Sequence, residues 1–269
     1  MEKPRISVLS YSFQRLLKEG LMDVFGYLET CKFRYGLDAA DIQTRWLESA
    51  DEAYVKKIRE ALDEREMIMA DLCVDGAHIW DDDPERRAGN YKRALAYINA
   101  ARILGARFVR LEAGGRKGTY TQEELDHIVM RYREYADLAQ QHGFRIGPEN
   151  HLGNAGRWSN LKKVYEAVNH PALGLSIHVG SWLGTPEEGA AADLESAPLA
   201  CHTHLDWPTC EGPLEEKLAT LVNAGYKGYF SIEHHSMVNE YTNVGVQIAH
   251  VRNVLERFRT GQSKLVKSA

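Results

Sequence analysis

The sequence predicts an α/β protein, a single (β/α)8 barrel over residues 1–269, on three observations. An apolar, β-prone run followed by a helical stretch recurs eight times. The runs begin near Ile6, Leu37, Met67, Phe108, Phe144, Leu173, Ala200 and Tyr229, at intervals of roughly 27 to 41 residues, close to one βα unit each. The length of 269 residues suits the ~250 that such a barrel needs. Strict alternation argues for a parallel sheet. Eight units favour closure over an open sheet, and no Gly-x-Gly-x-x-Gly follows the first run to indicate a dinucleotide fold.

The helices between the runs follow from apolar spacing and end signals. Asp51 to Glu66 places Tyr54, Ile58 and Leu62 on one face, and Arg86 to Leu104 carries Tyr91, Leu95, Ile98 and Leu104. Thr121 opens a helix with Glu124 at the capping-box position, and Gly143 stops it after His142. Leu161 to Val168 is shorter, Leu214 to Ala224 ends at Gly225, and Val244 to Phe258 closes the array. Gly105, Gly143 and Gly225 each stand between a helix end and the next strand, where a left-handed residue is needed. Three loops are long: Val74 to Arg86, Ala113 to Tyr120, and His151 to Asn160. All three fall on the face where strand ends build active sites, and residues 75–84 in the first read either as a lid with Trp80 closing over a ligand or as a tolerated surface insertion.

Apolar residues make up 44% of the chain, enough for a sizeable core. The formal net charge is −5 and no Lys/Arg-rich run occurs, so a nucleic-acid footprint is not expected. Asp81, Asp82 and Asp83 read as a solvated loop. Cys31, Cys73, Cys201 and Cys210 lack metal or redox spacing and read as thiols of a reducing compartment. No apolar run approaches ~18 residues, and the short charged start runs directly into the first strand. A cytoplasmic enzyme without membrane segments is the expectation.

The last four runs end in side chains that can bind metal: Glu149, His178, His204 and Glu233. In a parallel barrel these ends converge on one face. Two carboxylates and two imidazoles meeting there point to a divalent cation. His202 stands two residues before His204 and shares its face of the strand. Arg110 and Glu112 end the fourth run, to touch substrate or to pair with each other. The Gly-Gly-Arg-Lys-Gly segment (114–118) reads as a basic turn beside the site, with an anion subsite as the alternative. Trp80, Trp158, Trp182 and Trp207 lie on loops of this face, as walls for a sugar-like ligand, as loop packing, or as contacts in a homo-oligomer.

Four segments carry a resemblance: Glu-Asn-His (149–151), Ser-Ile-His-Val-Gly (176–180), His-Leu-Asp (204–206) and Ser-Ile-Glu (231–233). The pattern resembles the xylose isomerase-like TIM-barrel superfamily of sugar isomerases and epimerases, over nearly the whole barrel. The resemblance implies one divalent metal ion (Mn, Zn, Co or Mg) on Glu149, His178, His204 and Glu233. It also implies Glu149 and Glu233 as acid and base beside the substrate carbon. The expected chemistry is proton abstraction next to a carbonyl through a metal-stabilised enediolate, giving isomerisation or epimerisation of a small sugar. A lyase or dehydratase acting on an oxidised sugar or glycoside is one alternative, and a non-catalytic sugar-binding barrel with a degenerate metal site, of which His178 is the sign, is another. Endonuclease relatives of the fold use a basic groove, against which the acidic balance argues. His151, His202, Asp206, Trp80, Arg110 and Glu112 are the candidate substrate contacts, with His234 as a further orienting group. The chain departs from the family at His178, where an Asp is usual, and at Asp206, which follows His204 by two residues. The exchange removes one negative charge from the cation's ligands and favours softer metals over Mg.

Overall fold

Parallel strands alternate with helices along the chain, and their pairing closes a ring. The structure is a computed structural model that describes residues 4–151 and 153–266. Among these residues the strands are β1 (Ile6–Val8), β2 (Ala39–Gln43), β3 (Ile68–Val74), β4 (Phe108–Leu111), β5 (Arg145–Gly147), β6 (Leu175–His178), β7 (Ala200–Leu205) and β8 (Phe230–Ile232). Two short helices, α1 (Gln14–Lys18) and α2 (Val24–Glu29), follow β1. The outer layer continues with α3 (Glu52–Glu64), α4 (Pro84–Leu104), α5 (Gln122–His142), α6 (Trp158–Val168), α7 (Pro186–Ser196), α8 (Trp207–Glu211), α9 (Leu214–Asn223) and α10 (Glu240–Arg259).

The strands form two parallel four-stranded sheets, β1-β8-β7-β6 and β2-β3-β4-β5. Bridges close both seams: Leu9 with Asp41 at one, Ile146 with Leu173 and Glu149 with Ser176 at the other. The second seam depends on Gly147, where an added Cβ would stand 1.8 Å from the Gly174 carbonyl oxygen. That close approach brings the segment after β5 beside β6 and sets Glu149 next to the strand that carries His178.

Each expected strand is present, displaced by at most two residues at its start. Thr121 and Glu124 form the capping box of α5, and Gly105, Gly143 and Gly225 all take positive φ. The helix α7 lies outside the elements justified above. Thr185 and Glu188 cap it with Pro186 in its first turn, but its buried face is only Ala192, Asp193 and Ser196. Small and polar residues give no apolar period to read. The large side chains between the strands and helices include Ile42, Ile58, Leu62, Leu72 and Tyr132, all fully buried. Full burial of one such side chain contributes ~1.5–3 kcal/mol. The four cysteines are free, with Cys31, Cys73 and Cys210 buried. No helix among the described residues is long and apolar enough to cross a membrane.

Candidate metal centre

Glu149, His178, His204 and Glu233 come together at the C-terminal ends of β5 to β8. One ligand-capable atom from each lies within 4.8 Å of the others. Two metal bonds of ~2.0–2.3 Å place ligand atoms no more than ~4.6 Å apart, so this spacing is close to that of one ion's ligands. His178 is the last residue of β6, and His204 stands one residue before the end of β7. Glu233 follows β8 directly, and Glu149 follows β5 by two residues. Asn150 locks the β5 and β6 ends together: its amide nitrogen donates to the His178 carbonyl at 2.9 Å, and its side-chain oxygen accepts from the His178 amide at 2.6 Å.

The donor set fits a cation. Both ring nitrogens of His178 and Oε2 of Glu233 are buried without a hydrogen-bond partner. His178 Nδ1 is nevertheless 3.2 Å from Glu233 Oε2, and His204 Nδ1 is 3.6 Å from the same oxygen. His204 Nδ1 pairs closely with Glu149 Oε1. Buried polar groups without partners are rare and call for an explanation. A dication among two carboxylates and two imidazoles provides one, since neutral imidazole and carboxylate are its ordinary ligands.

Without a cation the imidazoles act as counter-ions. Burial lowers the pKa of His178, but Asp206 and Glu233 outweigh it and bring the value up to about 10. Burial also works against charge on His204, yet Glu149 and Asp41 hold its pKa well above the ordinary value. Burial raises Glu149 and Glu233, and the facing cations outweigh it. Glu149 is held below the usual range by His204 and Arg110, and Glu233 by His178 and His235.

Arg110 is a brace. Its guanidinium donates to Glu149 Oε2 at 2.6 Å and to Asp75 Oδ1 at 3.0 Å, and it lies 3.6 Å from Glu112. Burial pushes the Glu112 carboxyl up to about 8, against the pull of Arg110. Glu112, His151 and Trp80 line a cavity of about 430 Å³ together with His78, Arg116 and Gly115. The lid expectation for Trp80 meets an anchored segment instead. Trp80 pairs with Gly114, its ring nitrogen donates to Asp82, and Arg87 covers the ring at 4.2 Å. Trp158 and Trp182 pack on each other at 5.7 Å, bonded to Glu195 and Asp193.

The remaining expected contacts separate. Asp206 caps α8 and sits 3.7 Å from His178 Nε2. His202 does not line the cavity with Glu112 and His151. It is buried inside the barrel with Nε2 2.7 Å from Asp41. His234 bonds Gln247 at 3.1 Å. Four residues around the centre went unassigned in the sequence. His235, half exposed, lies 3.3 Å from Glu233 Oε1 and sets its ring edge-on to His178 at 5.6 Å. Asp75 supports Arg110, and Asp41 and Asp71 form a polar cluster with His202 and His204 below the centre. An aspartate inside an apolar strand run, as in Ala-Ala-Asp-Ile-Gln (39–43) and Met-Ala-Asp-Leu-Cys (69–73), was the available signal.

Comparison with known proteins places the fold. A D-tagatose 3-epimerase-like protein superposes with a TM-score of 0.74 at 17% identity, covering 96% of this chain and 100% of that one. A xylose isomerase-like TIM barrel protein from Mycobacterium smegmatis, in complex with magnesium, gives 0.73 at 15%, covering 98% and 100%. A xylose isomerase-like TIM barrel/4-hydroxyphenylpyruvate dioxygenase fusion protein gives 0.72 at 15%, covering 99% of this chain and 45% of that longer one. At these identities the likeness is one of fold. Structures sharing it include proteins named as sugar epimerases and one named as a probable dehydratase. No curated protein matches the sequence. The family model described as xylose isomerase-like TIM barrel matches residues 33–256, and the chain belongs to that family.

Proposed function

We propose that this protein is a metal-dependent enzyme that isomerises or epimerises a small sugar or sugar derivative by moving a proton next to a carbonyl. The observation that carries this reading is the buried set of Glu149, His178, His204 and Glu233, with both His178 ring nitrogens and one Glu233 oxygen left without hydrogen-bond partners. These four residues would hold a divalent ion, with Mn, Zn, Co and Mg as the candidates. When bound, the ion polarises a carbonyl and its neighbouring hydroxyl and offsets the negative charge that develops there.

The chain's own groups then divide the work. Glu233, with one unpaired oxygen and the exposed His235 beside the other, accepts the proton from the carbon next to the carbonyl. For isomerisation Glu233 gives the same proton back to the neighbouring carbon; for epimerisation Glu149, its orientation held by Arg110, would enter the cycle protonated and give that proton to the carbon, Glu233 then losing its own to solvent. The cavity of about 430 Å³ beside them lies within the ~300–1,000 Å³ range of small-ligand sites. Glu112, His151 and Trp80 stand at its wall to bind the rest of the sugar. Epimerase names among the structures of this fold support the reading. The free thiols agree with a cytoplasmic setting.

The test is metal analysis of the purified protein, followed by solvent-deuterium incorporation across a panel of ketoses and keto-glycosides. The expected result is one divalent ion per chain and deuterium at the carbon next to the carbonyl of at least one substrate. Metal uptake that survives loss of both Glu149 and Glu233 would overturn the site. Loss of a β-substituent from the substrate would make the enzyme a lyase.

A further inference from the structure

We infer that Asp41 is a positioning residue, which keeps the single proton of neutral His204 on Nε2 so that Nδ1 offers its lone pair to the proposed metal centre. The inference rests on the metal reading above and extends it to a residue inside the barrel.

His204 is fully buried and its two nitrogens face opposite ways. Nδ1 looks up to Glu149 and Glu233. Nε2 looks down, 3.5 Å from Asp41 Oδ2 and without a hydrogen bond. A neutral imidazole has one N–H and one lone pair, so the environment decides which nitrogen can bind a cation. While no cation is bound, Nδ1 pairs with Glu149. Once a cation takes the place of that bond, the Asp41 carboxylate beside Nε2 favours the remaining proton there and repels a lone pair. With the tautomer reversed, Nε2 would present its lone pair to that carboxylate, and Nδ1 would carry a proton into the metal centre. Carboxylates that fix ligand histidines in this manner typically contribute 10–100-fold in metal affinity.

Asp41 is itself held in place. Its backbone amide donates to the buried Tyr27 hydroxyl at 2.8 Å, and that hydroxyl donates to the Val8 carbonyl at 2.6 Å. Its Oδ2 pairs with His202 Nε2 at 2.7 Å and accepts from the Ser231 hydroxyl. Asp41 therefore works as a fixed acceptor in a closed network rather than as an open cation ligand. His202 steadies Asp41, which gives a structural reason for a buried histidine two residues before His204.

Asp41→Asn is the informative variant. It keeps the volume, removes the charge and can turn an N–H toward Nε2, a change that selects the wrong imidazole tautomer. Zn²⁺ binding is measured by calorimetry, and the His204 tautomer by ¹⁵N spectra of the Zn²⁺-loaded protein. Asp71→Asn is the control: it removes a carboxylate from the same cluster, but Asp71 contacts Cys73 and the Arg110 backbone rather than His204 Nε2. The expected result is a ~10–100-fold loss of Zn²⁺ affinity in Asp41→Asn and less than about threefold in Asp71→Asn. In the wild type the proton should sit on Nε2 with Nδ1 bound to zinc. Equal losses in both variants, or no loss in Asp41→Asn, overturn the inference. If Asp41→Asn does not fold, the wild-type spectrum decides: zinc on Nε2 refutes it and zinc on Nδ1 supports it. A wild type that takes up none of Mn²⁺, Zn²⁺, Co²⁺ or Mg²⁺ overturns the metal reading, and this inference with it.

Discussion

Two polar layers stacked inside the barrel contain the same residue types in opposite conditions. The upper layer of Glu149, His178, His204 and Glu233 leaves both His178 nitrogens and one Glu233 oxygen without hydrogen bonds. In the lower layer, Asp41 pairs with His202 and Ser231, and Asp71 accepts from Cys73 and the Arg110 backbone. His204 belongs to both. Burial does not separate them, since every one of these side chains is at most 5% exposed. What differs is satisfaction: of the lower cluster's side chains, His204 alone leaves an atom, Nε2, without a hydrogen bond. A buried polar layer that completes its own hydrogen bonds fixes geometry, while one left incomplete implies a group from outside.

The largest break in this comparison should come from removing upper-layer charge. Glu233→Gln and Glu149→Gln should each lower turnover by ~10²–10⁴-fold with the fold retained. The two should differ in stability. Glu149 is the nearest partner of the buried Arg110, which would keep only Asp75 at hydrogen-bond distance. Breaking a buried pair costs up to ~3–5 kcal/mol. Chemical denaturation should therefore show Glu149→Gln as the less stable variant. Equal stability would mean that Arg110 is not a brace, and unchanged turnover would remove that glutamate from the chemistry.

How far the sequence could be read follows the same division. The barrel was legible because strand runs and helix ends leave local marks, such as Thr121 with Glu124 and the three glycines at helix ends. Glu149, His178, His204 and Glu233 were legible as the polar ends of apolar runs. The lower layer was not, because Asp41 and Asp71 sit within their runs and their partners are remote in sequence: His202 is 161 residues from Asp41. Arg110 could be placed at a strand end, but whether it faced substrate or a carboxylate depended on the approach of Asp75 and Glu149. Likewise His202 shares a strand face with His204, yet one step of depth puts it on Asp41 rather than at the cavity.

The proton balance of the upper layer offers a second break. With two anionic carboxylates and two imidazolium rings, the metal-free layer carries no net charge. A dication on neutral rings leaves it equally neutral. Because the His178 pKa is raised to about 10 and that of His204 lies well above its ordinary value, cation uptake near neutral pH should release one proton from each ring. Calorimetry in buffers of different ionisation enthalpy should show this release, and metal affinity should rise with pH. Uptake without proton release would mean that the rings are neutral beforehand. The metal-free fold should have a matching pH window. The His178 charge stabilises it fully below the ordinary value of 6.5, and this contribution is lost as pH rises through about 10. Glu149 and Glu233 contribute above their ordinary 4.5 and lose that contribution as pH falls.

A smaller change should come from His178→Asp, which gives the upper layer a third carboxylate. An oxygen ligand in place of imidazole should move preference toward Mn or Mg and away from Zn, by about tenfold in relative affinity. Parallel titrations of wild type and variant with Mn²⁺, Mg²⁺ and Zn²⁺ measure this. An unchanged order of preference would remove His178 from the cation's ligands.

The smallest effect should lie in the lower layer, at Asp71. Burial is the main cause that raises this carboxyl to about 6 from an ordinary 3.8, with Asp41 adding to it against the pull of His202. Its sign is opposite to that of Glu149. A folded-state pKa above the unfolded one means that the native state binds the proton more readily, so the ionised side chain weakens the fold above about pH 6. Asparagine removes that charge. It has one oxygen for the two donors now served, the Arg110 amide at 3.1 Å and the Cys73 thiol at 3.0 Å, so part of the gain is returned as a lost hydrogen bond. Asp71→Asn should therefore stabilise the protein by on the order of 1 kcal/mol above pH 7, below the ~3 kcal/mol that the pKa difference alone implies. The advantage should vanish below about pH 4, where the carboxyl is neutral in both states. Denaturation of the metal-free proteins at two pH values measures it. A variant destabilised at both would show that the lower layer needs this charge, and that its satisfaction depends on ionic as well as hydrogen-bonded contacts.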